Sequence, residues 1–313
     1  MSIAWLFPGQ GSQSVGMGKD VLASSPAARD VFARVDAALD EPLSRLVLEG
    51  PEEQLTLTAN AQPAIVATSI AVLAAIRERL PDLAPPAFAA GHSLGEYSAL
   101  VAAGALALED AVRLVRARGL AMQEAVPPGT GAMAAIMGVE PARLEALCRQ
   151  ATNGEIVSCA NFNAPGQIVV AGHAAAVARV GELVAAEKGR AIPLKVSAPF
   201  HSALMAPAAR VVERELARTD VRSPAFPIVA NFDARPNTDA ARVKDLLVRQ
   251  VDGAVRWEET VRTMAEKGVT HALEIGPGKV LAGLVKRIAK DVKVLSVGDA
   301  ASLDQVAGFL AEA

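Results

Sequence analysis

Ala87-Phe88-Ala89-Ala90-Gly91-His92-Ser93-Leu94-Gly95-Glu96 is the stretch on which the fold turns. Its short uncharged start, introduced by Pro85-Pro86, reads as a buried strand. The glycines either side of His92-Ser93-Leu94 permit a tight turn from that strand into a helix near Glu96. G-x-S-x-G in this setting holds a serine hydroxyl out on a sharp turn. There the following amide and the helix N-terminus favour a developing oxyanion. The same residues also suit an ordinary βα turn with a serine near the helix cap.

Working outward, the same rhythm continues on both sides. Upstream, Ile3-Ala4-Trp5-Leu6-Phe7 is another apolar strand, closed by Pro8-Gly9-Gln10-Gly11-Ser12-Gln13. Helical patterns follow over 27–39 and 60–80, and downstream over 96–103 and 109–125. Strands alternating with helices predict an α/β protein with a parallel sheet covered on both faces. The Gly9-Gln10-Gly11 turn is not a nucleotide phosphate loop, because no Gly-Lys-Ser/Thr follows it.

After Pro127-Pro128-Gly129-Thr130-Gly131 the rhythm changes. Strand 132–139, helix 141–150 and strand 156–160 are followed by a turn at Asn161-Phe162-Asn163-Ala164-Pro165-Gly166. Strand 167–171, helix 174–188 and strand 191–196 complete a β-α-β-β-α-β unit, the ferredoxin-like order. The expected division is a large domain of residues 1–126 and 198–313 with residues 127–197 inserted. Strands near 228–230 and 272–275 then resume the first pattern, and a helix covers 281–288.

Composition narrows the function. Of 313 residues 51% are hydrophobic and 21% charged, enough apolar material for a sizeable core. The net charge of −3 removes any default case for nucleic acid or an anionic membrane surface. Two cysteines, Cys148 and Cys159, make neither a disulfide framework nor a zinc site, so no metal is expected. The N-terminus lacks a basic, cleavable leader, and the uncharged stretch 55–76 fits a buried helix starting near Asn60 better than a membrane span. A cytoplasmic protein is expected.

A serine nucleophile needs a base, and there are four histidines. His92 adjoins Ser93, where neighbouring side chains diverge, and reads as a packing or hydrogen-bonding residue. His173 reads as a helix cap or surface residue, and His271 as a core histidine entering a strand. His201 differs: Ser197-Ala198-Pro199-Phe200-His201-Ser202-Ala203 lies where the insertion rejoins the large domain, and clefts between domains are preferred ligand sites. Helical spacing exposes a further residue. On the 109–125 helix Arg118 falls inside the apolar arc of Ala111, Leu114, Val115, Ala121, Met122 and Ala125. A core-facing guanidinium must meet an anion. That anion is either a structural carboxylate, unless the side chain snorkels at the core's edge, or a substrate carboxylate gripped in bidentate fashion.

Taken together, the Pro8–Gln13 turn, Gly91-His92-Ser93-Leu94-Gly95-Glu96, Arg118, Asn161–Gln167, His201, Gln250 and Glu274-Ile275-Gly276-Pro277-Gly278 resemble the malonyl-CoA:acyl-carrier-protein transacylase family. The resemblance runs along essentially the whole chain. It implies a large α/β-hydrolase-like domain with a parallel sheet core and an inserted ferredoxin-like subdomain. It implies ping-pong transfer of malonyl from malonyl-CoA to the phosphopantetheine thiol of acyl carrier protein, without a cofactor. By the same resemblance Ser93 is the nucleophile and His201 the base, the amides of Gln10 and Leu94 form the oxyanion hole, and Arg118 pairs with the malonyl carboxylate. The Gln250 carbonyl orients His201, and Phe200 disfavours a methyl branch on the acyl group. A monomer is expected. The rival is a serine hydrolase of the α/β-hydrolase type, whose triad order would require His271.

Overall fold

The computed structural model describes residues 2–196 and 198–313. Met1, in the N-terminal stretch where no leader is expected, and Ser197, the expected last residue of the insertion, lie outside them. The central strand is β1 (Ser2–Phe7), buried from Ala4 to Phe7. It pairs in parallel with β2 (Phe88–Gly91) on one side and β9 (Val269–Ile275) on the other. With β7 (Ile228–Val229), β8 (Pro236–Asn237) and β10 (Lys293–Val297) they form a sheet of order β10-β9-β1-β2-β7-β8. Only β8 runs antiparallel to its neighbour.

Successive strand residues face opposite sides, and β1 feeds two cores. Trp5 and Phe7 join Ala89, Leu273 and Ile275 on one face. Ala4 and Leu6 join Ala90, Ala272, Trp257 and Leu281 on the other. The helix Thr58–Arg79 is long and apolar enough to cross a membrane, but 89% of its apolar window is buried inside the protein. It is a core helix, as its polar interruptions predict.

A second sheet, antiparallel throughout, has the order β4-β5-β3-β6. Its strands are β3 (Gly131–Met137), β4 (Val157–Ala164), β5 (Gln167–His173) and β6 (Arg190–Pro193). The helices Pro141–Ala151 and Ala174–Ala186 cover it, enclosing their own core around Leu144, Leu147, Val170 and Val180.

Two sequence expectations need correction here. Residues 161–164 are strand, not turn: β4 continues to Ala164 through two register irregularities, leaving only Pro165-Gly166 as the turn. The cause is a non-local partner. Phe162 N donates to Val255 O (2.9 Å) and Val255 N to Ala160 O (2.9 Å), so β4 bonds the large sheet's side of the molecule as well as β5. Strand β6 ends at Pro193 rather than Val196, and Leu194 and Val196 are exposed at the cleft between the sheets.

Candidate active site

The turn after β2 is built by close approach. A Cβ on Gly91 would stand 1.9 Å from Gly95 C, and one on Gly95 would stand 2.1 Å from Phe7 O. Only glycine fits at either position, so strand and helix abut, and Ser93 between them takes φ 49°. Asn231, just beyond β7, clamps this conformation. Its Oδ1 accepts from Ser93 N (2.6 Å) and its Nδ2 donates to Gly91 O (2.7 Å).

His201 reaches the turn from the loop after β6, also at positive φ (57°) and only 5% exposed. Its Nε2 lies 2.7 Å from Ser93 Oγ, and its Nδ1 lies 2.8 Å from the main-chain oxygen of Gln250. A carbonyl only accepts, so Nδ1 carries the proton and Nε2 turns its lone pair to the hydroxyl. Gln250 has an oxygen to give because it lies in the last turn of the helix Ala240–Asp252, where carbonyls lack intrahelical partners. Burial, then the nearby Arg118 charge, press the His201 pKa down to about 3. The imidazole is therefore neutral at pH 7 and able to accept a proton.

Arg118, on the helix Leu108–Glu124, is 1% exposed. Nη1 donates to Gln62 Oε1 (2.8 Å), while Nη2 donates to Ser93 Oγ (3.0 Å) and Gln250 Oε1 (3.0 Å). Its Nε has no hydrogen-bond partner among the described residues. Among the described residues no carboxylate forms a salt bridge with it. The buried cation is therefore surrounded by neutral oxygens, beside the serine hydroxyl.

Behind these residues sits Glu96, 2% exposed on the helix Gly95–Ala102. Its Oε2 accepts from Asn231 N (3.0 Å) and Gln250 Nε2 (2.9 Å). Burial raises its pKa to about 7, against hydrogen bonds that lower it.

Ser93, His201 and Arg118 face a cavity of about 280 Å³ between the two sheets. Gln10, Met122, Met133, Asn161 and Phe200 also line it. Gln10 lines this cleft, and Leu94 follows Ser93 at the start of the helix Gly95–Ala102. A larger groove of about 660 Å³ opens beside Ser2, Arg79 and Pro85, and its described lining contains no histidine or cysteine. Among the described residues no cluster could hold a metal ion.

The other histidines stand apart from Ser93 Oγ. His92 Nε2 bonds Asn163 Oδ1 (2.8 Å). His173 precedes the helix Ala174–Ala186 and accepts from Ile156 N. His271 pairs with Ile3 in the early part of β9, four residues before the strand's C-terminal end, with its ring against Phe309. The Ser93 turn follows the C-terminal end of parallel β2. At about 3.3 Å per residue, His271 lies more than 10 Å back along the sheet.

The arrangement can move a proton from Ser93 to His201 while presenting a fixed positive charge beside the hydroxyl. A profile of the acyl transferase domain family matches residues 4–307. The chain belongs to that family. A malonyl CoA-acyl carrier protein transacylase of Bacillus subtilis (strain 168) is 49% identical to this acyl transferase over 305 residues, 96% of this chain and 95% of that one. A solved acyl-carrier-protein-S-malonyltransferase from Bartonella henselae matches with TM-score 0.96 at 47% identity, covering 99% of this chain and all of that one. A type II PKS acyl-carrier protein in complex with its malonyl-transacylase matches at TM-score 0.94 and 45% identity, covering 97% and 98%.

Two residues of the acyl transferase site, Asn231 and Gln62, escape the sequence reading, and Glu96 is quoted there in the motif without a role. Glu96 had a signal of the kind that exposes Arg118, a lone charge in the apolar helix Gly95–Ala102. Asn231 follows the C-terminal end of a parallel strand, where α/β sites collect.

Proposed function

We propose that this protein transfers the malonyl group of malonyl-CoA to the phosphopantetheine thiol of acyl carrier protein, through a malonyl ester on Ser93. The observation that carries the reading is Arg118, a buried guanidinium without a described carboxylate partner, 3.0 Å from Ser93 Oγ. Such a group selects an acyl chain that brings its own anion. The names of the relatives point the same way.

In the first half-reaction Ser93 Oγ attacks the thioester carbonyl and passes its proton to His201 Nε2. The Gln10 and Leu94 amides receive the oxyanion, where preorganised donors lower the barrier most. The C–S bond breaks, and coenzyme A leaves with the proton from His201. In the second half-reaction His201 takes the proton of the phosphopantetheine thiol. The thiolate attacks the ester, and Ser93 regains its hydrogen as it departs. Gln250 O holds His201 in the required tautomer throughout, in the place of a triad carboxylate. Phe200, 9% exposed against the cleft, narrows the space beside the acyl α-carbon.

The finer architecture belongs to the same reading: a large α/β-hydrolase-like domain, residues 1–126 and 198–313, with residues 127–197 as a ferredoxin-like insertion. The order β4-β5-β3-β6 with both helices on one core supports it. A cytoplasmic monomer without a cofactor completes the reading. Incubation with radiolabelled malonyl-CoA tests the function. A stable label on Ser93 that holo acyl carrier protein discharges supports it, whereas steady release of free malonate would make the protein a hydrolase. No label at all would make it a carrier-binding scaffold.

A further inference from the structure

Between Glu96 and Arg118 stands one amide. Gln250 Nε2 donates to Glu96 Oε2 (2.9 Å) and to Ser93 O (2.9 Å), while its Oε1 accepts from Arg118 Nη2 (3.0 Å). The amide dipole is thus aligned, its NH₂ end on the carboxylate and its oxygen on the guanidinium. In a buried chain of this kind each bond polarises the next. The spacing also prevents contact between the two charges. Arg118 forms no salt bridge with Glu96, so its charge is not spent on a carboxylate of the protein, yet its Nη2 is aimed. The second donor to Glu96 Oε2, Asn231 N, belongs to the residue that clamps the Ser93 turn.

We propose that Glu96 is a positioning residue for acyl-group selection, acting through the Gln250 side chain on the guanidinium of Arg118. The proposal rests on the malonyl-transfer reading above. With Glu96 removed, the Gln250 amide keeps Ser93 O but loses the charged one of its two acceptors, so it is held less firmly and the oxygen that sets Arg118 Nη2 beside Ser93 is less fixed. A malonyl group then meets a less firmly held cation. An acetyl group, which never used the cation, is affected only through the looser Ser93 turn. A merely structural Glu96 would instead lower both rates together.

The test is the rate of Ser93 acylation from malonyl-CoA and from acetyl-CoA, for wild type, Glu96→Ala and Glu96→Gln, alongside melting temperature. Glu96→Ala should lower the malonyl-to-acetyl ratio by roughly tenfold or more, the scale of a lost buried hydrogen-bond partner. Glu96→Gln presents an oxygen that accepts from the same two donors, and should keep the ratio within about threefold of wild type. Gln250→Leu retains the main-chain carbonyl for His201 and deletes only the bridge. It should reproduce the fall in ratio, and it carries the test if Glu96→Ala does not fold. An unchanged ratio in the folded Ala or Leu variants, or an equal fall in Glu96→Gln, overturns the proposal. A wild type that malonyl-CoA fails to acylate would instead sink the transfer reading itself.

Discussion

Ser93 Oγ and His201 Nε2 meet at 2.7 Å, and both residues hold backbone conformations that L-amino acids avoid, φ 49° and 57°. Neither conformation arises locally at low cost. The Gly91–Gly95 approach and the Asn231 clamp impose the first. The second accompanies a burial that sets the His201 ring between Ser93 and the end of a helix. A positive φ at a non-glycine residue costs about 1–3 kcal/mol, so the surrounding contacts must over-determine both.

Replacing Ser93 with glycine should therefore separate stability from activity. Ser93→Gly removes the hydroxyl and relieves the strain, so acylation should vanish while stability rises by about 1 kcal/mol. Ser93→Ala should lose activity without that gain. Thermal melts of the two variants decide the matter, and a glycine variant melting below the alanine variant would refute it.

The pH dependence should shift when substrate binds. His201 is held at about 3, well below its ordinary value, first by burial and then by Arg118. Its folded pKa is depressed, so its contribution to stability is complete above about pH 6.5 and is lost as pH falls toward 3. In the free enzyme, kcat/KM for malonyl-CoA should accordingly show no acid limb at pH 6.5. A bound malonyl carboxylate offsets Arg118 and makes the imidazole more basic, so the acid limb of kcat should lie at higher pH than that of kcat/KM. Coincident limbs would contradict this coupling.

Arg118→Ala should collapse the preference for malonyl over acetyl. Losing one member of a buried charge pair costs about 2–5 kcal/mol, or roughly 30- to several-thousand-fold in kcat/KM for malonyl-CoA. Acetyl-CoA should be affected far less. Steady-state kinetics on both thioesters read the outcome, and equal losses on both would make Arg118 a structural residue.

Gly95→Ala probes the turn without touching a reacting group. Its methyl would meet the Phe7 carbonyl at 2.1 Å, so β1 or the helix must move. Acylation from malonyl-CoA and acetyl-CoA should fall together, with a loss of stability of roughly 1–3 kcal/mol. A selective loss on one thioester would mean the turn is not what moved.

Phe200→Ser should open the cleft beside the acyl group. Methylmalonyl-CoA, a poor substrate for the wild type on this reading, should gain relative to malonyl-CoA by about tenfold, the scale of one methyl group's accommodation. Competition between the two thioesters measures it.

Legibility followed the range of the interactions. The β2 turn, the helix carrying Arg118 and its buried face are local patterns, and periodicity exposes them. Residues 161–164 read as a turn because Asn161 and Asn163 lead into Pro165-Gly166. Their strand form depends on Val255, far along the chain, which no local pattern reports. Gln250 is harder still, because its contact with His201 is made by a main-chain oxygen that any residue would carry. Its side-chain bridge could be suggested only by Glu96 and Arg118 together, both buried charges needing partners.

The helix end at Gln250 has one more consequence, for the sign of the charge that the site can hold. A carboxylate behind His201 would place a full negative charge some ~7 Å from a second anion held beside Ser93, a repulsion of roughly 2–3 kcal/mol at an effective dielectric of about 20. A helix C-terminus presents about half a charge spread over several carbonyls, and the repulsion falls accordingly. His201 gives up basicity in the empty site as a result, since no carboxylate stabilises its protonated form. On the proposed reading the missing charge would arrive with the acyl group. On the malonyl-transfer reading an uncharged thioester entering the same cleft would find a weak base, and the reagent best able to activate His201 would also be the one that Arg118 retains.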